Sequence, residues 1–455
     1  MTDHNPPHPH PNQWTEARGE GLPSLHLEDI SGIPFVSAIP GIEEYQHRAR
    51  VRAGDGDLFA AVTPAAPGYE SYCQNTLGLG APTMLLADPV GGPLDVADAC
   101  AQGPTLEALA RVARDAGGIV VHPYMSIQPV WELAAAIKAA SGAPAYVLGP
   151  TPHALWLAND KRSLDALIHE LGMGEFLVET RVEHTPEAIA ERARGFAARF
   201  PHVGLKRTRC ASAMGNEVFA SADLLALSPE ESVAHVRAFL ERTEWEPGEE
   251  VLVVEWADTN CSPSTQLWIP SLESGLPPRL DGVYEQLLEG VEKVFLGSRP
   301  SVLPEAVNRR LGEASLRVAE AFQAQGYVGR CSFDFIVVGD LDDHPRICFT
   351  ECNGRWGGTS TPMHLVDRMM RGAPRPHYIA QDVVHDALIG ADFSELTRAL
   401  GEDLFDPATR TGRFALYNPG PLGDKGKVDV VSIGATPEAA LEGVQVTLPR
   451  LWGLG

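Results

Sequence analysis

Apolar residues recur along this chain with two different periods, and the switches between them divide it. Between 83 and 148, short apolar runs at 83–87, 118–122 and 145–148 alternate with helically spaced segments at 106–116 and 130–140. Leu106, Leu109, Ala110 and Ala113 fall on one helical face, as a 3.6-residue repeat requires. Strand-helix-strand alternation predicts an open parallel sheet, so 29–155 reads as one α/β domain. No GxGxxG follows these strands, and a dinucleotide fingerprint is absent. Residues 1–28, opening with a Pro and His tract, predict a disordered tail in which His4, His8 and His10 are solvated.

Helical spacing returns at Leu164, Leu167, Ile168 and Leu171, with Asn159 or Asp160 as cap and Gly172 as stop. Helices are expected at 229–241 and 304–325, the second burying Val307, Leu311, Ala314, Val318 and Phe322. Strands are expected at 250–256 and 265–269, with a loop at 270–278. Beyond 372 the pattern predicts helices at 379–388, 393–400 and 437–448 and strands at 412–417 and 427–432. That last part shows no chemistry-bearing motif, and a structural role is expected.

The most informative stretch is 328–361. Asp334, Glu351 and Asn353 interrupt two apolar strands, where an unpaired carboxylate is costly to bury. The polar segment 339–345 between them predicts an antiparallel hairpin. A turn centred between Asp342 and Asp343 sets Asp334 opposite Glu351, and period-two alternation puts Glu351, Asn353 and Arg355 on one face. Three converging oxygen ligands suit Mg²⁺, and Arg355 can fork onto a carboxylate or phosphate. The bland alternative pairs Asp334 and Glu351 with Arg330 and Arg346. Alternation turns Cys352 to the opposite face as a small buried hydrophobe. Upstream, Lys206 ends an apolar run before small residues 211–215, whose backbone N–H groups could approach phosphate oxygens.

With 455 residues, several subdomains are expected, and 44% apolar against 21% charged residues reads as globular. A net charge of −24 disfavours nucleic acid and anionic membranes. No run of about 18 apolar residues suggests a membrane span, and no basic-then-apolar start suggests secretion. Seven cysteines without CxxC spacing suit free thiols in a reducing cytoplasm.

Asp334 followed by Glu351-x-Asn353-x-Arg355 resembles the metal-binding end of the ATP-grasp superfamily, whose members join a carboxylate to an amine, thiol or similar nucleophile. The likeness spans about 155–370. It implies an ATP-grasp fold, two α+β lobes (156–264 and 265–371) clasping ATP, preceded by the parallel-sheet pre-ATP-grasp domain and followed by an α+β extension at 372–455. It implies ATP with one or two Mg²⁺, Mn²⁺ being the alternative metal. Lys161 and Lys206 would hold phosphates under a lid at 211–216 that includes Ser212, Met214 and Gly215. This lid has one glycine where the family has several. Backbone at 254–257, with Glu255, Trp256 and Ala257, would read adenine, Glu255 lying near the adenine amine; Asp258 or Asn260 would reach the ribose. Arg355, with Lys206, would act in the transfer, gripping the carboxylate and then stabilising the oxyanion. Arg330, Thr359, Ser360 and His364 are candidate substrate contacts, with turn hydroxyls, a structural ion pair and a surface histidine as their plainer readings.

Two departures narrow the choice. D-alanine-D-alanine ligases have Arg where Ser332 stands, and a proline-glycine loop where Gly354 and Arg355 stand. Biotin carboxylases follow the shared element with Val-Glu-His, which is missing here. Residues 326–337 and Asn-Gly-Arg-x-Gly-Gly-Thr at 353–359 look like the peptide ligases of specialised metabolism, including the pheganomycin type. The expected reaction is ATP-dependent amide or peptide formation from small-molecule or peptide carboxylate and amine substrates, with self-association left open. The rivals are a Mg²⁺-dependent phosphohydrolase, an ATP-dependent carboxylase and a non-catalytic nucleotide-binding subunit.

Overall fold

The computed structural model describes residues 10–34, 41–209, 215–259, 261–289 and 294–454. Its first sheet holds β1 (Ser24–Leu27), β2 (Leu58–Ala61), β3 (Thr83–Leu86), β4 (Ile119–Pro123) and β5 (Ala145–Val147). All neighbours pair in parallel, in the order β3-β2-β1-β4-β5. The helices Gly103–Ala116 and Gln128–Ser141 supply the crossovers and bury Leu109, Ala113, Leu133 and Ile137.

This sheet corrects the expected tail. β1 is its middle strand, with Leu25 and Leu27 fully buried. Gln13 donates to the carbonyls of Gly149 and Gly326 at 3.0 and 2.9 Å, and His10 packs edge-on to Trp131 at 4.6 Å. The nearby prolines suggest irregular chain, but a four-residue strand buried between two neighbours needs little sequence to define it. Residues 1–9, with His4 and His8, lie outside the described residues.

A second, antiparallel sheet comprises β6 (Thr180–Glu183), β7 (His202–Arg207), β8 (Asn216–Ala220) and β9 (Val251–Glu255), ordered β6-β9-β7-β8. The helix Pro229–Arg242 behind it begins with a capping box formed by Ser228 and Glu231.

The third sheet has eight strands: β10 (Pro263–Ile269), β11 (Arg279–Glu289), β12 (Val294–Pro300), β13 (Gly329–Val338), β14 (Arg346–Asn353), β15 (His377–Val384), β16 (Phe414–Tyr417) and β17 (Lys427–Gly434). Their order is β14-β13-β10-β11-β12-β15-β17-β16. The helix Glu305–Ala324 covers it with Val307, Leu311, Ala314, Val318 and Phe322 buried, the expected set.

Two expectations fail here. The hairpin of β11 and β12 was not anticipated, and 379–388 is β15 followed by a short 3₁₀ turn, not a helix. β-branched Val383 and Val384 favour extended backbone, and pairing with β12 on one edge and β17 on the other decides the matter. The final helix is also interrupted by a π turn at Gly443–Thr447. The chain's last part therefore continues the large sheet. Gly297 lets β12 and β15 meet: a Cβ there would lie 2.1 Å from the Ala380 carbonyl oxygen. Six described cysteines are free thiols, Cys210 lying outside the described residues. No described helix is long and apolar enough to cross a membrane.

Candidate functional site

The β13–β14 hairpin builds the site. Asp334 pairs in register with Glu351, beside a bulge between Asp334 and Phe335. Asn353 donates its Nδ2 to Asp334 Oδ2 at 2.9 Å, leaving its amide oxygen as a third donor. The bland partners are engaged elsewhere: Arg330 with Asp281 and Arg346 with Glu255. Cys352 lies on the opposite face, buried, its Sγ 3.6 Å from that of Cys331.

Cations reach this hairpin from the preceding lobe. Lys161 opens the helix Lys161–Glu170, capped by Asp160, whose side chain accepts the Ser163 N–H at 3.0 Å. Its Nζ stands 3.1 Å from Glu351 Oε2. Lys206 on β7 has its Nζ 5.2 Å from the Trp256 ring centroid. The Gly354 N–H donates to Asn159 Oδ1 at 3.1 Å. A Cβ at 354 would meet Asn159 Nδ2 at 2.7 Å, so glycine permits this approach of the lobes.

Electrostatics separate the two carboxylates. Burial, then the neighbouring Glu351, push Asp334 up to about 6, against hydrogen bonds from Ser264 and Gln286. Burial acts on Glu351 in the same direction, but Lys161, then Lys206 and Arg355, outweigh it and hold that carboxyl below its usual range.

One cavity of about 1020 Å³ takes in these residues. Asp334, Glu351, Asn353, Lys161, Lys206 and Arg355 all line it. Glu255, Trp256, Ala257 and Asp258 border it at the exit of β9, and Thr359 and Ser360 border it beyond Arg355. Ser360 Oγ accepts the Gly357 N–H at 2.7 Å. Two carboxylates and an amide oxygen fit a hard divalent cation that completes its shell with phosphate and water.

Other expectations meet a different arrangement. Arg330 is held by Asp281 at 2.5 Å and lies between the rings of Trp268 and Trp356, away from the cavity lining. The plainer reading as a structural ion pair is the observed one. His364 also lies off the lining, edge-on to Trp356 at 5.3 Å, with burial pushing its pKa well down. Glu255 grips Arg346 with both oxygens, at 2.7 and 2.8 Å, so its carboxylate is committed to the other lobe. Its backbone N–H goes to Glu179 and that of Trp256 to His202. Of the expected lid, the Gly215 carbonyl accepts the Arg207 N–H at 2.9 Å; Ser212 and Met214 lie outside the described residues, as does Asn260.

The sequence reading missed a whole wall. Tyr45, Arg48 and Tyr124 from the first domain, and Asp382, Lys427 and Asp429 from the last strands, line the same cavity. Asp382 and Asp429 interrupt apolar strands as Asp334 does. The same test applied past 372 would have found them.

Comparison with known proteins bears on the fold. Residues 46–139 match the family model of the pre ATP-grasp domain. The N5-carboxyaminoimidazole ribonucleotide synthetase of Thermus thermophilus superposes with a TM-score of 0.52 at 16% identity, over 94% of this chain and 98% of that one. The carboxyaminoimidazole ribonucleotide synthase of Aspergillus clavatus, complexed with ATP, gives 0.55 at 13% identity over 95% and 99%. A biotin carboxylase of Campylobacter jejuni gives 0.51 at 14% identity over 89% and 87%. No curated protein matches by sequence. The chain carries a pre-ATP-grasp domain and has the ATP-grasp fold.

Proposed function

We propose that this protein is an ATP-dependent ligase that activates a carboxylate as an acyl phosphate and joins it to an amine, releasing ADP and phosphate. The observation that carries the reading is the cross-strand pair Asp334 and Glu351, gathered with Asn353, Lys161, Lys206 and Arg355 on one cavity. An amine does not displace oxide from a carboxylate; phosphorylation supplies a leaving group. Asp334, Glu351 and Asn353 would hold Mg²⁺, which offsets phosphate charge. Lys161 and Lys206 bind phosphate oxygens, Trp256 and Ala257 border the adenine end, and Arg355 orients the acid and faces the developing oxyanion. Thr359 and Ser360 contact the acid beside it. Enclosure of both reactants supplies proximity and limits hydrolysis of the intermediate.

The names of the structural neighbours favour a second reading, in which bicarbonate is the acid and the amine becomes carboxylated. The size of the cavity favours an organic acid. A screen of acid and amine pairs, bicarbonate included, that follows ADP release and product mass tests both. Amide formation matching ADP release supports the ligase; a carbamate product selects carboxylation; ATP cleavage independent of any acid overturns both.

A further inference from the structure

At the end of the cavity remote from the metal ligands, Asp382 on β15 stands directly opposite Asp429 on β17. Like charges facing each other across a ladder repel, and both residues line the cavity. Lys427 compensates one of them, with Nζ 2.5 Å from Asp382 Oδ2 and a further hydrogen bond to the Tyr45 hydroxyl. Asp429 is 3% exposed. Its Oδ2 accepts Asn418 Nδ2 at 3.0 Å, but its Oδ1 has no hydrogen-bond partner among the described residues. A buried carboxylate oxygen without a donor is costly, and Asp429 is among the residues that line the cavity. Burial and then Asp382 push the Asp429 carboxyl well above its usual range.

The surroundings indicate what would satisfy it. Lys427 already occupies one side of the pair. One vacant acceptor beside a second carboxylate suits an N–H donor carrying positive charge. The rings of Tyr45 and Tyr417 border the same space and favour a cation. Ile33 and Ile42 supply an apolar flank.

Position excludes this pair from the reacting centre. Arg355 and Arg48 share the Tyr124 ring, at 5.7 and 5.6 Å from its centroid. Arg48 and Lys427 in turn share the Tyr45 ring, at 4.3 and 4.9 Å. Strands β10, β11 and β12 lie between β13, which carries Asp334, and β15, which carries Asp382.

We propose that Asp429, with Asp382, forms a cation subsite that binds a free ammonium group at the far end of an elongated substrate. The inference rests on the ligase reading for what lies at the other end. An amino-terminal peptide and an ω-amino acid share this chemistry: a charged nitrogen several bonds from the group that reacts.

The test is calorimetric binding to the full-length protein saturated with MgADP. The probes are trialanine against N-acetyl-trialanine, and 6-aminohexanoate against hexanoate. At least one free amine should bind about tenfold or more tightly than its uncharged counterpart. Asp429→Asn should abolish that preference while MgADP affinity holds. Asp382→Asn, at the more exposed member of the pair, should do the same if the first variant melts early. The pair that shows the preference identifies the source, peptide or ω-amino acid. The subsite is overturned if neither amine binds at millimolar concentration, if the preference survives both variants, or if Mn²⁺ binds there in an Asp429-dependent way. Because binding needs no turnover, a preserved preference without ADP release would sink the ligase reading alone.

Discussion

Asp334 on β13 lies directly across the ladder from Glu351 on β14, and the two carboxyls are driven in opposite directions. The difference comes from placement: Lys161 contacts Glu351 at 3.1 Å, while Asp334 is held by Asn353, an amide without net charge. Lys161 thus favours the charged form of Glu351, while burial beside that charge disfavours the charged form of Asp334.

If Glu351 holds the metal as proposed, replacing it should remove turnover more than folding. Glu351→Gln is expected to lower kcat/KM for ATP by about 100-fold or more, with a thermal midpoint close to wild type. Unchanged ADP production at saturating Mg²⁺ and substrates would show that Glu351 is not a ligand.

Lys161 contacts Glu351 Oε2 at 3.1 Å, so it would compete with the proposed metal for that oxygen. Lys161→Met should bind Mn²⁺ more tightly than wild type without nucleotide, yet raise the KM for MgATP about tenfold. Mn²⁺ resonance and steady-state kinetics read the two effects separately. Weaker Mn²⁺ binding in the variant would mean that Lys161 positions the carboxylate instead of blocking it.

Glu255 serves the interface between lobes in this structure, through its double contact with Arg346. Glu255→Ala and Arg346→Ala should therefore produce similar losses, with a coupling of about 1 kcal/mol or less because the pair is partly solvated. Neither should alter the preference for ATP over GTP. A selective loss of that preference in Glu255→Ala alone would restore Glu255 to the adenine amine.

What could be read from the sequence were features carried by local pattern. Asp334, Glu351 and Asn353 were legible because polar residues in apolar strands separated by a turn fix their own register. The helix Glu305–Ala324 and the crossover helices were legible from their spacing. β1 and β15 were not, since each is defined by neighbours distant in sequence: β2 and β4 for one, β12 and β17 for the other. Asp382 and Asp429 carry the same local mark as Asp334, a carboxylate in an apolar strand, but their meeting with Tyr45 joins the two ends of the chain, and that juxtaposition has no local signal.

That long-range closure depends on Gly297. A methyl group at 297 would press on the Ala380 carbonyl and on Gln381, both backbone-constrained by the sheet. Gly297→Ala should destabilise the protein by about 1–3 kcal/mol, and the loss should appear as early exposure of 377–434 in hydrogen exchange. Uniform exchange across the protein would argue that the sheet unfolds as one unit.

The junction between the first domain and the β13–β14 lobe is lined with histidines, His26 buried and His122 and His364 half-buried. His26 and His122 pack at 4.7 Å, His122 and Trp356 at 5.7 Å, and Trp356 and His364 at 5.3 Å. Arg52, Arg330 and Arg368 face this group; Asp57 opposes them 3.4 Å from the His26 ring, while Arg52 and Arg330 are paired with Glu28 and Asp281. Burial first, then these like charges, lower all three histidines from 6.5, His122 and His364 well below it. Their folded pKa values lie below the unfolded one, so they contribute stability above 6.5 that is lost as pH falls. Each can contribute up to about 1.4 kcal/mol per pH unit across that window. His122→Gln cannot take up the proton. It should melt below wild type near about pH 8, where packing dominates, and close or reverse the gap near about pH 5. Parallel curves of thermal midpoint against pH would show that His122 takes up its proton as readily in the folded as in the unfolded chain, which removes it as a source of acid sensitivity.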